Sequence, residues 1–499
     1  MPRRLFVLHT VPGRIRTLTA LALLALIGLV AGAAVATWQA NDGLRAIGSG
    51  EGPTVVATSD LYLALSDMDA QATTALLAGG EAGWLCQPEL GGQDQNLQGR
   101  PPTADTGCDR PPTRVLYEIR REEAQRAAMA AAERTGGDSV RLTTVQTVLD
   151  ELHLYDQQVQ AAMEAAAGTT HPAGVLPPDA IGRYRMATRL MTDDLLPKAY
   201  NLTLASGATV NSVYQARRSA TLSGRTGVAV AGLVTVLVLA GLQIYLTTRF
   251  RRLINLWLVL ATLGTAALTV ASAALLSAEA DYLWAAKTRG FDSVLTLSRT
   301  RAIDKSMDAD RSRSLLDPQD ADRYDQMYFD KAQTILYIPG VRNLADYYAE
   351  LHNRLDRYQN DAHSVGFTGL YGVEARQVDQ TDQTDLRDQE RASLGALLAG
   401  YERSQDNDRR VRQLTAEGEV EKAAKAQVDP SVTYLPHPSF RTHDEGLAAL
   451  ITRHQYTVDR EVLDGRRAVA AWPWLLTASV LVIAGLVVAG VRPRLKEYR

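Results

Sequence analysis

The sequence is poor in the residues that usually carry chemistry. Its 499 residues include two cysteines, eight histidines and seven lysines, the last against forty-six arginines. Two cysteines and scattered histidines offer no recognisable metal-ligand spacing, so no metal or cofactor is expected. A Gly-rich phosphate loop, a His-Glu-x-x-His pair and a Gly-x-Ser-x-Gly elbow are all missing, and the chain reads as a non-enzyme. The acidic run Asp379, Asp382, Asp385, Asp388 and Glu390 is not a calcium loop, because its aspartates fall three apart and Thr384 stands where the sharp turn needs Gly. Strand-like alternation of any length is missing too, which leaves an all-α chain.

Four stretches lack any charge. Leu18 to Trp38, Gly227 to Thr247, Leu253 to Leu276 and Ala468 to Val491 each contain no acidic or basic residue, and a hydrocarbon core takes roughly 20 helical residues to cross. The mean hydropathy of -0.13 hides these spans because two long polar segments dilute them. Ala34-Val35-Ala36 resembles a secretory cleavage site, but the apolar run before it is longer than the roughly 7 to 15 residues of a signal core, so a retained span is expected.

Basic residues next to spans are retained on the cytoplasmic side. Arg3, Arg4, Arg14 and Arg16 precede the first span; Arg249, Arg251 and Arg252 lie between the second and third; Arg492, Arg494, Lys496 and Arg499 follow the fourth. The expected order is therefore a cytoplasmic tail (1–17), a span (18–38), a loop (39–226), a span (227–247), a cytoplasmic turn (248–252), a span (253–276), a loop (277–467), a span (468–491) and a cytoplasmic tail (492–499). Both loops then face away from the cytoplasm of a multi-pass plasma-membrane protein. Trp38, Trp257, Trp284, Trp472 and Trp474 fall near the expected membrane edges, where the amphipathic indole is favoured. The cytoplasmic pieces sum to +10 and the whole chain to -3, so the two loops carry -13, a balance that argues against nucleic acid as a partner.

Within the loops the periodicity is helical. Leu61, Leu65, Met68, Ala72 and Leu76 recur every three or four positions, with Asp60, Asp67, Asp69 and Gln71 off that stripe. Similar runs cover 115–134, 140–167, 179–217, 281–316, 321–336, 341–363, 394–427 and 445–469. The breakers Gly136-Gly137, Pro177-Pro178, Asp317-Pro318 and Pro436-His437-Pro438 separate them. Helices of this length bury their stripes as antiparallel bundles, so the expected fold is an all-α membrane protein with four transmembrane helices and two extracytoplasmic helical bundles on one duplicated plan. Cys86 and Cys108 flank a Pro/Gly/Gln-rich stretch with no core pattern, and in an oxidising compartment they are expected to pair as a disulfide.

The segment from Ala57 to Gln71, and the segment from Arg289 to Ala302 followed by Asp308-Ala309-Asp310-Arg311 and Leu315-Leu316-Asp317-Pro318, resemble the first outer helices of actinobacterial GlnX-type membrane proteins. The four-span plan is similar along nearly the whole chain, and the arginine bias fits a GC-rich genome. The resemblance implies a relay: an extracytoplasmic solute-binding lipoprotein reports glutamate, glutamine or aspartate, and a cytoplasmic Ser/Thr protein kinase receives the signal. A chemoreceptor-like direct ligand sensor and a structural envelope protein are the alternatives, and a homo-oligomer remains open. The off-stripe Asp60, Asp67 and Asp69, with Arg289, Arg299 and Arg301 on the corresponding helix of the second loop, either pair with each other or present a mixed-charge surface to a partner.

Overall fold

The computed structural model describes residues 11–78, 113–135, 137–169, 171–250, 255–360, 366–379, 384–428 and 440–496. Cys86 and Cys108, and with them the expected disulfide, lie outside the described residues. Described residues are overwhelmingly helical, and their one β contact is an isolated bridge between Tyr337 and Thr368. The chain is an all-α membrane protein. Its helices are α1 (Val11–Arg45), α2 (Glu51–Leu77), α3 (Thr113–Thr135), α4 (Ser139–Ala167), α5 (Pro178–Arg189), α6 (Leu196–Phe250), α7 (Leu256–Ala285), α8 (Asp292–Leu316), α9 (Ala321–Ile335), α10 (Leu344–Asn360), α11 (Gly369–Asp379), α12 (Thr384–Ala416), α13 (Val420–Val428), α14 (Phe440–Ala470) and α15 (Trp472–Lys496). Short π-helical turns, Ala46–Gly50, Leu190–Leu195 and Ala286–Phe291, join α1 to α2, α5 to α6 and α7 to α8 without a break.

Local chemistry explains several boundaries. The Asp138 carboxylate accepts from the backbone N–H groups of Val140 and Arg141 at 3.0 and 3.2 Å and so caps α4. Gly418 takes φ +81° and separates α12 from α13, so the run 394–427 is two helices rather than one: only glycine adopts that conformation cheaply. Gly369, at φ +80°, opens α11, a helix with no counterpart in the periodicity. A Cβ there would meet the Thr334 carbonyl oxygen at 2.8 Å.

The chain divides into two compact units. A span unit gathers Met1–Gly52, Thr209–Gly290 and Tyr456–Arg499, and a polar unit gathers Pro53–Ala208 and Phe291–Gln455. In the span unit Leu26, Leu29 and Ala33 of α1, Leu239 and Leu242 of α6, Leu258 and Ala261 of α7, and Ile483 and Val487 of α15 form the core. Leu24, Ile27, Leu237, Leu263 and Leu481 on the same helices are exposed. Helices that bury one apolar stripe and leave another bare suit a lipid surround rather than water. Among the described residues, four helical stretches, 13–45, 178–248, 256–316 and 443–493, are long and apolar enough to cross a membrane.

The polar unit has one hydrophobic core drawn from both loops. Leu61, Leu65 and Met68 of α2, Leu152 and Val159 of α4, Leu297 and Met307 of α8, Tyr347 and Leu351 of α10, and Leu397 and Tyr401 of α12 all belong to it. Within this core α8 is exceptional. Its sequence is rich in Asp, Arg and Ser, yet 18 of its residues are buried. A helix buried on all sides is normally apolar all round. Each polar side chain of α8 therefore needs a partner inside the unit.

Candidate functional site

Those partners form a buried charge network along α8. Arg313, with no side-chain exposure, donates from Nη2 to Asp69 Oδ2 of α2 and from Nη1 to Asp310 Oδ1 at 2.7 Å. The other oxygen of Asp69 accepts from the Tyr155 hydroxyl of α4 at 3.0 Å. Lys331 of α9 bonds Asp310 and donates to Ser306 Oγ at 2.7 Å. This group therefore sums to two carboxylates and two cations.

Two residues before Arg313, Arg311 donates to Asp408 Oδ1 of α12 at 2.6 Å. The second oxygen of Asp408 accepts from Arg412 at 2.9 Å and from the Tyr348 hydroxyl of α10. Arg311 and Arg412 both lie over the ring of Tyr328, at 5.6 and 4.9 Å from its centroid. Burial by itself raises the Asp408 carboxyl, but the charges of Arg412 and Arg311 outweigh it and hold the group below the usual carboxylate range.

Nearer the start of α8, Arg301 makes two bonds, 2.7 and 2.9 Å, to Asp444 of α14. Lys305 lies 3.6 Å from Asp444 and 3.6 Å from Asp67, which also accepts the Arg120 guanidinium of α3 at 3.0 Å. Burial acts to lower the Lys305 ammonium, yet Asp444 and Asp67 hold it above its ordinary value. Burial raises the Asp304 and Asp308 carboxyls, which lie one turn apart on α8, and the Asp304 charge adds to the shift of Asp308. His443 bonds the Tyr371 hydroxyl at 3.0 Å, and its burial lowers its pKa, favouring the neutral ring. The far end is closed by Arg185 of α5, bound to Asp317 at 2.6 and 2.7 Å.

The sequence-selected residues divide accordingly. Asp67 and Asp69 meet cations of α8: Lys305 lies 3.6 Å from Asp67, whose charge also acts, against burial and alongside Asp444, to raise the Arg301 guanidinium, and Arg313 bonds Asp69. Asp69 faces the interior of the unit rather than a partner; it sits on a second buried face of α2 that also carries Ser59, Ser66 and Thr73. That line of small polar residues was the available signal. Asp60 is exposed. Arg299 stacks on Tyr200 at 4.9 Å and donates to its hydroxyl. Arg289 belongs to the span unit, 5.0 Å from the Trp284 ring centroid. Arg313, Asp304 and Asp408 were not singled out by sequence, and Arg311 entered only as part of the family resemblance. His443, in the first turn of α14, is buried.

Chemically the arrangement suits switching better than turnover. No group of three or more His, Cys, Asp and Glu among the described residues is placed to hold a metal ion. Lys305 is shared between two carboxylates, Asp310 between two cations and Asp408 between two guanidinium groups. Each of these shared groups thus keeps two partners of opposite charge within reach inside one packed arrangement.

Neither a curated protein nor a solved structure matches the chain. The network's central helix, α8, lies outside the stretch that a family model does match. Residues 43–215, from the end of α1 into α6, match the family model of the actinobacterial sensor domain, and the relationship points to a sensor role and to no enzyme family.

Proposed function

We propose that the protein is a transmembrane sensor whose polar unit lies outside the cytoplasm and whose signal leaves through the helices that continue into the spans. The observation that carries this reading is the helical stretch 256–316, a single run that contains both a candidate span and the whole of α8, the network's central helix. A change of pairing on α8 is thereby coupled by helix continuity to a span. The match to the actinobacterial sensor domain supports the sensor class. Resemblance to GlnX-type proteins supplies the finer reading, in which a solute-binding lipoprotein reports glutamate, glutamine or aspartate and a cytoplasmic Ser/Thr kinase responds. The basic residues near both ends, with Arg249, Arg251 and Arg252 between the second and third spans, support a cytoplasmic side for these segments.

Phosphoproteomics with and without external glutamate or aspartate, in cells with and without the gene, tests the relay. Loss of the phosphorylation response on deletion, restored by the intact gene, is expected. An unchanged response removes the kinase relay. Thermal stabilisation of the full-length protein in nanodiscs by millimolar glutamate alone would instead favour direct ligand sensing over a binding protein, since a ligand stabilises in proportion to the logarithm of its concentration over its dissociation constant.

A further inference from the structure

Two of the three π-helical turns among the described residues occupy the same place in the two halves of the chain. Ala46–Gly50 follows the first span helix, α1, and Ala286–Phe291 follows the third, α7. Gly48 of the first and Gly290 of the second bear on one ridge of α14. A Cβ at Gly48 would lie 2.9 Å from Val462 Cγ1, and a Cβ at Gly290 would lie 2.4 Å from Val458 Cγ2 and 3.2 Å from the Val458 backbone nitrogen. Val458 and Val462 stand four residues apart and so share a helix face. Gly465 extends that face. A Cβ there would approach Leu44 Cδ1 of α1 at 2.6 Å and Tyr282 Cβ of α7 at 3.3 Å. Leu44, Tyr214 and Leu283, with Tyr282 and Val458 packed on them, make a small apolar cluster at this level, separate from the core of the spans.

A π turn holds one residue more than the α-helix needs. Absorbing that residue rotates one flank against the other by about 100° and shifts it by about 1.5 Å, the step of a single helical residue. Two such turns resting on neighbouring turns of one rigid ridge do not change phase independently, because each valine fills the space that the glycine leaves open. We propose that the paired π turns and the Val458–Val462–Gly465 ridge of α14 form a phase-setting joint, through which α1 and α7 change helical phase together. The use of such a joint rests on the sensor reading, but its mechanics do not.

The joint is tested by a disulfide reporter in the full-length protein in native membranes, with Cys86→Ser and Cys108→Ser as background. Tyr282→Cys with Gly465→Cys reports the α7–α14 contact, since paired cysteines have Cβ atoms about 3.5–4.5 Å apart. The reporter is expected to oxidise readily. Gly48→Ala, a change on α1's side of the joint, is expected to alter its oxidation rate at least threefold, and Val462→Ala added to it is expected to restore the rate. A reporter that does not form, or one whose rate is the same with Gly48→Ala, overturns the joint. Should Gly48→Ala fail to accumulate, Val462→Ala alone empties the same contact, and an altered rate supports the joint whereas an unaltered one overturns it. Oxidation is read without ligand or kinase, so failure of the joint and failure of the relay are separate results.

Discussion

Replacing Arg313 by methionine would remove one cation from a buried group whose charges otherwise cancel. Asp69 and Asp310 are balanced by Arg313 and Lys331, and Arg313, Asp69 and Asp310 are almost fully buried. Methionine fills a similar volume, so packing changes little, and the cost comes from leaving an uncompensated carboxylate in the interior, about 3–5 kcal/mol. Asp69→Asn alone leaves an excess cation and should also destabilise, although its side-chain oxygen can still accept from Tyr155. Combining the two leaves Asp310 with Lys331, a neutral pair. The double variant should therefore be more stable than the sum of the singles predicts, with a coupling of about 2–3 kcal/mol. Urea unfolding of the full-length protein in nanodiscs, followed by circular dichroism, measures all four corners of this cycle. Additive single costs, or a cost below about 1 kcal/mol for Arg313→Met, would refute the description of this group as a coupled buried network.

Three further outcomes follow from the same structure. Burial, reinforced by Asp304 and opposed by Arg311, pushes Asp308 up to about 8, so between the unfolded aspartate value of about 4 and that pH the native chain holds a proton the unfolded chain has released; stability should fall as pH rises through this window, and Asp308→Asn should flatten the fall in thermal melts. Gly418→Ala places a Cβ at φ +81° and should cost about 1–2 kcal/mol in the same urea experiment, unlike Gly137→Ala, where the space is equally open but the φ is not positive. Cys86 and Cys108 should resist maleimide labelling in membranes until a reductant is added, as expected of a bridged pair.

Much of the helical plan was legible because amphipathic periodicity is local. The stripe Leu61, Leu65, Met68, Ala72 and Leu76 is buried as its spacing implies, and the uncharged spans announce themselves by length. Boundaries were missed where one backbone angle decides, at Gly418 and Gly369, since the surrounding pattern runs on. The network was hidden for a different reason. Asp69 and Arg313 are 244 residues apart, and the charge on a helix looks the same whether water or another helix satisfies it. Asp67 and Asp69 drew notice as off-stripe acids, but the stripe describes only one face of α2. With a second face buried, the same spacing placed Asp69 inside the unit, and its cation came from α8 of the other loop. The alternation of Asp and Arg from Asp304 to Arg313 reads equally as a solvated surface. Only the assembled core shows that it is internal.

Hydrogen exchange of the full-length protein in nanodiscs tests most directly whether α8 is the element that joins the two loops and can change state. Amide protection reports the free energy of local opening. With Asp69→Asn, a change made on α2, amides across residues 292–316 and around Asp408 of α12 should lose protection together, by at least tenfold, while those of the span core at Leu239 and Leu242 should not. Loss of protection confined to α2, with α8 and α12 as slow as in the unaltered protein, would contradict the account.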